Sequence, residues 1–301
     1  MASLKHYVQA ARLRTLPLSV SGIIVGSGLA ASEGKFNVLI FVLAILTTVG
    51  FQVLSNFAND YGDGIKGTDA DREGEQRLIA AGLITPKQMK EAIVYTIVVT
   101  MAIAVVLIYS AFGKDEFFKS LVFLFLGIIS IYAAIKYTVG KSAYGYSGLG
   151  DVFVFLFFGL LSVIGSYYLF THSVISWTII WPASAIGMLS SAVLNLNNMR
   201  DQIHDKKVNK NTLVVKIGSR NAKIYHAFLI IGALFSLVIF RVLSGVTSYS
   251  YWVFLIAFIP LLANLVVVFK TILFKDLDGE LKKVALATFF CALLFCLPYF
   301  V

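Results

Sequence analysis

Two clusters of acidic and amide side chains attract attention because each directly follows a long apolar run. The first cluster spans residues 56–72 and the second spans residues 195–212. On a helix, Asn56, Asp60 and Asp63 have the spacing i, i+4 and i+7, and Asn59 and Asp63 are four apart. The equivalent residues of the second cluster, at i, i+4 and i+8, are Asn197, Asp201 and Asp205. Each set is therefore predicted to form one polar stripe on its helix.

Carboxylates stacked on one helix face repel each other, so these stripes do not serve helix stability. An Asp inside a membrane costs about 2.5–3.5 kcal/mol on insertion scales, which a cation would offset. Carboxylate and amide oxygens suit magnesium, which takes one or two carboxylates, keeps waters and completes its shell with substrate phosphates. Two facing stripes therefore predict a magnesium site that holds a diphosphate.

Basic residues accompany both clusters and are candidates for binding outer phosphate oxygens. They are Lys66, Arg72, Arg77, Lys141, Arg200, Lys206 and Lys210. The alternative is that acids and bases alike are ordinary solvated charges of two loops. Acidic and basic residues occur together at corresponding points in the two halves of the chain. This arrangement favours a binding site over ordinary loop charges.

The elements that position these clusters follow from composition. Of 301 residues, 58% are hydrophobic and 14% are charged, and the mean hydropathy is +0.85. A soluble domain carries about 25% charged residues, so the chain is predicted to be an all-α polytopic membrane protein. Runs long enough to span a bilayer are residues 16–31, 37–58, 92–112, 117–135, 151–171, 178–198, 224–243, 250–269 and 284–301. The first run also has features of a cleaved signal peptide, which is the less favoured alternative.

The distribution of charge orients these nine spans. With the N-terminus inside, 21 of the 25 Lys and Arg residues fall in inner segments, as the positive-inside rule requires. The rule also accounts for the net charge of +9 without a nucleic-acid partner. The long loops 59–91 and 199–223 then face the cytoplasm. Spans 1–4 and 5–8 are predicted to form a repeat with one extra helix, within a single domain of residues 1–301.

The motifs resemble those of the UbiA-type intramembrane prenyltransferases. The resemblance lies in Asn59-Asp60-x-x-Asp63 followed by Asp69, and in Asp201-x3-Asp205, at the inner ends of spans 2 and 6. Within the family the chain is most similar to the MenA type, which prenylates 1,4-dihydroxy-2-naphthoate. The segments that carry this similarity are residues 11–19, 59–67, 146–151 and 210–215.

The resemblance implies magnesium-dependent transfer of a polyprenyl group from its diphosphate to an aromatic carbon. For the naphthoate type it implies loss of carbon dioxide and formation of demethylmenaquinone, at the plasma membrane. The implied metal ligands are Asn59, Asp63, Asp69, Asp201 and Asp205. The implied catalytic carboxylates are Asp60, Asp63, Asp201 and Asp205. The implied substrate-binding residues are Asn56, Lys66, Arg72, Lys141, Tyr146, Asp151, Asn197, Arg200 and Lys210.

Several alternatives stay open at this point. The acceptor can instead be 4-hydroxybenzoate or homogentisate, and a secondary transporter is the rival from another class. Asp151 is either a substrate-orienting carboxylate or the N-cap of span 5. Asp69 lies further from Asp63 than the usual motif of the family places its last Asp. Prenyl chain length and oligomeric state do not follow from these residues.

Overall fold

The computed structural model describes residues 2–68, 77–140, 142–173 and 176–301, and within these ranges the regular structure is helical. Nine helical spans in the described part are long and apolar enough to cross a membrane. They are Leu4–Ala31, Val38–Lys66, Pro86–Phe112, Phe117–Lys136, Gly150–Thr171, Trp177–Lys207, Leu213–Leu243, Tyr249–Lys270 and Phe274–Tyr299. The all-α class and the nine predicted spans are confirmed.

The first span consists of two helices with a sharp turn between them. Helix α1 is Leu4–Ala11, a 3-10 turn covers Leu13–Thr15, and α2 is Leu16–Ala31. Arg12 breaks the helix because its backbone adopts the left-handed conformation, with φ 51° and ψ 65°. The predicted first span corresponds to α2, and α1 precedes it as a separate short helix.

The remaining spans are mostly continuous helices. They are α3 (Val38–Lys66), α4 (Pro86–Phe112), α5 (Phe117–Lys136), α8 (Ile180–Lys207), α9 (Leu213–Leu243) and α11 (Asp278–Cys296). Of these, α9 is interrupted by a kink at Gly218, whose φ is 78° and ψ is 164°. Span 5 is formed by α6 (Gly150–Val154), a π-helical segment (Phe155–Leu161) and α7 (Ser162–Thr171). Span 8 is a 3-10 segment (Tyr249–Ala257) followed by α10 (Phe258–Lys270).

Helices α3 and α8 continue past the apolar runs and include most of the two acidic clusters. Helix α3 ends at Lys66, where Gly67 adopts φ 70° and closes the helix by a hydrogen bond to Asp63 O, the usual role of a C-terminal glycine. Helix α8 ends at Lys207. The helices therefore continue through residues 56–66 and 195–207, as the spacing argument requires. The loops predicted at 59–91 and 199–223 begin later than expected.

Close helix packing brings the two halves of the chain together around α2. Helix α2 contacts α3, α7 and α11, whereas α8 contacts α9, α11 and the π-helical segment. A Cβ atom added to Gly22 would lie 2.3 Å from Ser162 Oγ, and one added to Gly26 would lie 2.0 Å from Ser166 Oγ. Small residues at these crossings let the backbones of α2 and α7 approach closely. This contact joins the predicted first and second repeats side by side.

Candidate active site

A cavity of about 420 Å³ lies between the two halves of the chain, and side chains of both acidic helices line it. Its walls come from α2 to α8 and from α11, so α9 and α10 lie outside it. The end towards the C-termini of α3 and α8 is polar and includes Gln52, Asn56, Asn59, Asp63, Arg77, Asn197, Asn198 and Lys210. The rest is mainly apolar, with Leu18, Ile23, Phe51, Leu107, Ile108, Phe123, Leu126, Phe157, Phe158 and Leu161 among its walls.

Asp63 is the carboxylate at the polar end of this cavity. It is 1% exposed, and its Oδ1 accepts a hydrogen bond of 2.8 Å from the Tyr146 hydroxyl. Its Oδ2 lies 3.4 Å from Lys210 Nζ and 3.8 Å from Arg77 Nη2. A buried carboxylate needs such partners because an isolated one would be strongly disfavoured. The cations that stabilise Asp63 also leave the polar end suited to an anionic ligand.

Asp60 contacts the backbone that follows the first loop. Its carboxylate accepts backbone hydrogen bonds from Leu78 N–H at 3.0 Å and from Ile79 N–H at 3.3 Å. It does not line the cavity, whereas Asn56, Asn59 and Asp63 do. The predicted single stripe of Asn56, Asp60 and Asp63 is therefore corrected. The side chain of Asp60 faces the segment after the loop and holds it so that Arg77 reaches Asp63.

Tyr146 and Lys66 support Asp63 from the neighbouring loop and helix end. Lys66 Nζ lies 3.8 Å from the centre of the Tyr146 ring and donates a 2.7 Å hydrogen bond to Thr138 O. Lys210 Nζ lies 5.2 Å from the same ring centre. Two ammonium groups thus contact the ring whose hydroxyl binds Asp63, which fixes the ring by cation–π attraction. Tyr146 and Lys66 contact the site without lining the cavity itself.

Helix α8, which carries the second acidic cluster, brings two amide side chains to the cavity. Its carboxylates lie one and two turns further towards its C-terminus. Asn197 and Asn198 line the cavity, while Asp201 and Asp205 are 5% and 4% exposed beneath them. Arg200 donates to both carboxylate oxygens of Asp201, at 2.7 and 2.9 Å. It also donates to Asn197 Oδ1 at 2.8 Å and pairs with Asp278. The bidentate contact holds Asp201 rigidly.

Lys210 reaches the cavity because the chain folds back beneath α8. Its backbone N–H donates to Asp205 O at 2.8 Å, and the preceding Asn209 adopts a left-handed φ of 57°. Asn211 N–H then donates to Tyr146 O at 3.2 Å. These contacts bring Lys210 from the second motif to Asp63 of the first, as the pairing of the two motifs requires.

The segment before α2 contributes cavity residues that the sequence analysis did not select. Arg12, Arg14 and Thr15 line the polar end. Thr15 Oγ1 accepts hydrogen bonds from Gln52 Nε2 and Asn56 Nδ2, both at 3.3 Å. Gln52 lies four residues before Asn56 and seven before Asn59, on the same face of α3. This spacing is the sequence signal that could have identified Gln52 as a cavity residue. No comparable periodicity marks Arg12 or Arg14.

Asp151 lies outside the cavity and does not cap a helix. It occupies the first turn of α6, whose N-cap is Leu149, and no side-chain capping bond forms there. Its carboxylate is 4% exposed and interacts with the Tyr225 side chain, but without a hydrogen bond of ordinary geometry. The N-cap interpretation is therefore wrong, and a contact of Asp151 with substrate stays a prediction.

Tyr137 and Tyr144 line the cavity beside the loop that carries Tyr146. Burial raises the pKa of both hydroxyls above that of a free tyrosine, so they remain protonated. The Tyr144 hydroxyl donates to Ala133 O at 2.8 Å, and its ring stacks on Phe153 at a centroid distance of 3.9 Å. These rings therefore contribute aromatic surface to the cavity lining.

A metal at this site would draw on few carboxylates. In the described ranges, no three His, Cys, Asp or Glu side chains converge on one point. Asn59, Asp63 and Asn197 nevertheless provide amide and carboxylate oxygens along the same polar end. This donor set fits magnesium, which completes its shell with water and phosphate oxygens. The predicted residues Asp69, Arg72 and Lys141 lie outside the described residues.

Comparisons with known proteins agree with this architecture. The profile of the UbiA prenyltransferase family matches residues 19–299. The chain is 42% identical to the 1,4-dihydroxy-2-naphthoate octaprenyltransferase of Escherichia coli, over 86% of this chain and 82% of that protein. It is 41% identical to the protein of the same name in Haemophilus influenzae, over 87% and 84%. Among solved structures, a UbiA homologue of Archaeoglobus fulgidus bound to GPP and Mg2+ aligns with a TM-score of 0.59 at 14% identity, covering 95% of this chain and 99% of that one.

Proposed function

The chain belongs to the UbiA prenyltransferase family, and we propose that it transfers a polyprenyl group from its diphosphate to 1,4-dihydroxy-2-naphthoate with release of carbon dioxide. Family membership sets aside the secondary transporter considered above. The observation that carries the proposal is one cavity with a carboxylate and cations at its polar end and apolar walls beyond. The naphthoate acceptor is supported by the names of the two relatives that are more than 40% identical.

Arg77 and Lys210 are the proposed ligands of the diphosphate. Both line the cavity, and both lie within 4 Å of the Asp63 carboxylate. Arg77 is 8% exposed, so its charge acts in a region from which water is largely excluded, where it is worth more than on the surface. These cations bind outer phosphate oxygens and hold the leaving group in one orientation.

We further propose that magnesium is the metal of this site. Asp63 would hold the ion, which when bound would supply positive charge to neutralise the departing diphosphate. Asn59 and Asn197 supply neutral oxygens, and Asp201 and Asp205 supply further carboxylates one and two turns below. The structure of the Archaeoglobus fulgidus homologue, which contains GPP and Mg2+, supports the same pairing of metal and substrate here.

The apolar part of the cavity is the proposed site of the prenyl chain. Ala44 and Asp63 both line the cavity from α3, and at 1.5 Å per residue they lie about 28 Å apart along the helix. The hydrocarbon core of a bilayer is about 30 Å thick. A cavity of this depth suits a long polyprenyl chain. Rings such as Phe157 and Phe158 keep water from the allylic cation and present apolar faces to it.

The proposed reaction balances without a general base. The C–O bond of the prenyl diphosphate breaks and its electron pair stays with the diphosphate. The ring carbon that bears the carboxylate forms the new bond to the prenyl carbon. The bond to the carboxylate then breaks, carbon dioxide leaves, and that electron pair returns to the ring, whose hydroxyls keep their protons. In the described part of the chain no histidine lines the cavity, in keeping with this balance.

The proposed orientation places the active site at the cytoplasmic face of the plasma membrane. The loops that follow the two motif helices belong to the set of segments that holds most of the Lys and Arg residues. Lys and Arg concentrate in cytoplasmic loops of membrane proteins. Both halves of the chain line one cavity, so we treat residues 1–301 as a single catalytic domain. The bilayer supplies the prenyl substrate and receives the product.

A transfer assay tests this proposal. Purified protein in detergent receives a long-chain prenyl diphosphate, magnesium and one aromatic acceptor at a time: 1,4-dihydroxy-2-naphthoate, 4-hydroxybenzoate or homogentisate. We expect prenylated naphthoquinol and one carbon dioxide per product with the naphthoate, and none after EDTA. Turnover with another acceptor but not with the naphthoate would overturn the acceptor, and turnover in EDTA would overturn the metal.

A further inference from the structure

Helix α11 supplies a carboxylate to the second acidic cluster from a distant part of the chain. Asp278 is the first residue of α11, and its Oδ1 accepts a hydrogen bond from Arg200 Nη1. The Arg200 side chain is 3% exposed, whereas the Asp278 side chain is 45% exposed. Because Nε and Nη2 of Arg200 bind Asp201 and Asn197, this arginine connects two residues of α8 with one of α11.

The position of Asp278 is fixed by packing as well as by its ion pair. The 3-10 turn Phe274–Leu277, directly before α11, contacts α8, and the side chain of Leu277 is buried in the apolar core. Leu281 and Ala285 follow Asp278 at i+3 and i+7, and both line the cavity. Asp278 therefore lies on the face of α11 that is directed to the cavity.

The start of a helix does not by itself account for this contact. The helix dipole favours carboxylates in the first turn, and α11 has two of them, Asp278 and Glu280. Glu280 belongs to a different network, since its Oε2 accepts a 2.7 Å hydrogen bond from Asn264 Nδ2. The dipole acts on both carboxylates, so it does not explain why Asp278 binds the arginine of the second cluster.

Asp278 changes the charge that Arg200 brings to the site. Asn197 lines the cavity and accepts a hydrogen bond from Arg200, so the guanidinium lies one side chain away from the proposed metal. Its positive charge is poorly screened because the side chain is buried, and it would oppose a second cation. Arg200 with Asp201 alone forms a neutral pair, whereas addition of Asp278 leaves one net negative charge.

We propose that Asp278 is a positioning residue of the metal site, which holds Arg200 in place and offsets its charge in favour of magnesium. This inference rests on the proposed function and extends the site to α11. Asp278 is not among the residues that line the cavity, so it acts through Arg200 and contacts neither substrate. Without its charge, the guanidinium is balanced by Asp201 alone, and metal binding at Asn197 and Asp201 is weakened.

Binding of Mn2+ alone to the full-length protein in detergent tests this role without turnover. Free Mn2+ is measured by electron paramagnetic resonance, which yields a dissociation constant in the absence of prenyl diphosphate and acceptor. The test variant is Asp278→Asn, which removes the charge and keeps the size of the side chain. The matched control is Asp276→Asn, which removes an equal charge from an exposed residue of the 3-10 turn before α11.

We expect Asp278→Asn to weaken Mn2+ binding by about fivefold, the upper range for a partly exposed ion pair. Asp276→Asn should change the dissociation constant by less than about twofold. Equal effects of the two variants would overturn the inference. A lower Tm of Asp278→Asn at an unchanged Mn2+ affinity would also overturn it, because the ion pair would then serve stability alone.

A double-mutant cycle tests whether Asp278 acts through Arg200. In an Arg200→Gln background, Asp278→Asn should change the Mn2+ constant by less than about twofold. The full loss in that background would contradict the proposed route. The two single variants decide the role of Asp278 even where Arg200→Gln does not fold.

These outcomes are distinguishable from failure of the proposed function. Wild-type protein that does not bind Mn2+ would contradict the metal site itself. Wild-type binding that Asp278→Asn leaves unchanged would overturn the role of Asp278 alone. The choice of acceptor in the transfer assay affects neither result.

Discussion

The two acidic motifs occupy corresponding places in the two halves of the chain, yet they present different chemistry to the cavity. Helix α3 brings the carboxylate of Asp63 directly to the cavity, with Tyr146, Lys210 and Arg77 against it. Helix α8 brings the amides of Asn197 and Asn198, and the carboxylate of Asp201 is held by Arg200 one turn below.

This difference shows that similar placement within a repeat does not imply equal roles. The carboxylate of Asp63 faces the cavity and is open to the proposed metal there, whereas a carboxylate in a bidentate pair with arginine has both oxygens bound to that partner. Asp63 is therefore expected to matter more than Asp201 for the chemical step. The second helix contributes chiefly through neutral amide oxygens and through Lys210, which crosses to Asp63.

The largest expected effect follows from Asp63→Asn. The change removes the charge that faces the proposed metal and leaves Arg77 and Lys210 without their carboxylate. We expect kcat for prenyl transfer to fall by about 1000-fold, equivalent to about 4 kcal/mol of transition-state stabilisation. Steady-state product formation measures it, and an unchanged elution profile in detergent shows that the variant folds. A loss below tenfold would contradict the leading role of Asp63.

A smaller loss is expected from Asp201→Asn. Arg200 keeps Asn197 and Asp278 as partners, so the charge of Arg200 does not remain uncompensated. We expect kcat to fall by about 100-fold, or about 3 kcal/mol, with a higher magnesium requirement. The magnesium dependence of the rate provides the measurement. A loss as large as that of Asp63→Asn would show that the two motifs act symmetrically.

Tyr146→Phe sharpens the comparison by removing one hydrogen bond to Asp63. The ring that contacts Lys66 and Lys210 remains. A hydrogen bond to a charged group contributes about 1.5–3 kcal/mol, of which bound water restores part, so we expect about a tenfold fall in kcat/KM for the prenyl diphosphate. Tyr144→Phe is the control, since that hydroxyl binds Ala133 O. Equal effects of both variants would refute a specific role for Tyr146.

Asp60→Asn is expected to have the smallest effect on activity and a clear effect on stability. An amide oxygen still accepts one of the two backbone hydrogen bonds from Leu78 and Ile79, but the charge that strengthens them is lost. We expect the Tm in detergent to fall by about 2–4 °C, with activity reduced less than tenfold. Loss of activity equal to that of Asp63→Asn at an unchanged Tm would instead place Asp60 among the metal ligands.

Much of the fold follows from the sequence because bilayer thickness sets the length of each apolar run. The nine spans are confirmed, and the spacing of Asn56, Asn59 and Asp63 correctly places all three at one cavity. The second and sixth spans extend further than predicted, to Lys66 and Lys207. The contacts of the Asp60 side chain do not follow from helical spacing. They depend on where the backbone at Leu78 and Ile79, after the loop, packs against α3.

Contacts between distant segments account for the other residues that spacing alone does not select. Lys282 reaches the cavity only through the parallel packing of α11 against α2, which local periodicity does not encode. Arg14 does so through a turn in which Arg12 adopts a left-handed backbone. Both positions depend on tertiary contacts and not on the helix pattern.

The most direct test is an experimental structure of the protein with magnesium and a non-hydrolysable long-chain prenyl thiolodiphosphate. The proposed site predicts diphosphate density between Asp63 and Asn197, in contact with Arg77 and Lys210, and a prenyl chain that extends along α3 towards Ala44. A diphosphate bound away from Asp63, or a prenyl chain bound outside this cavity, would contradict it.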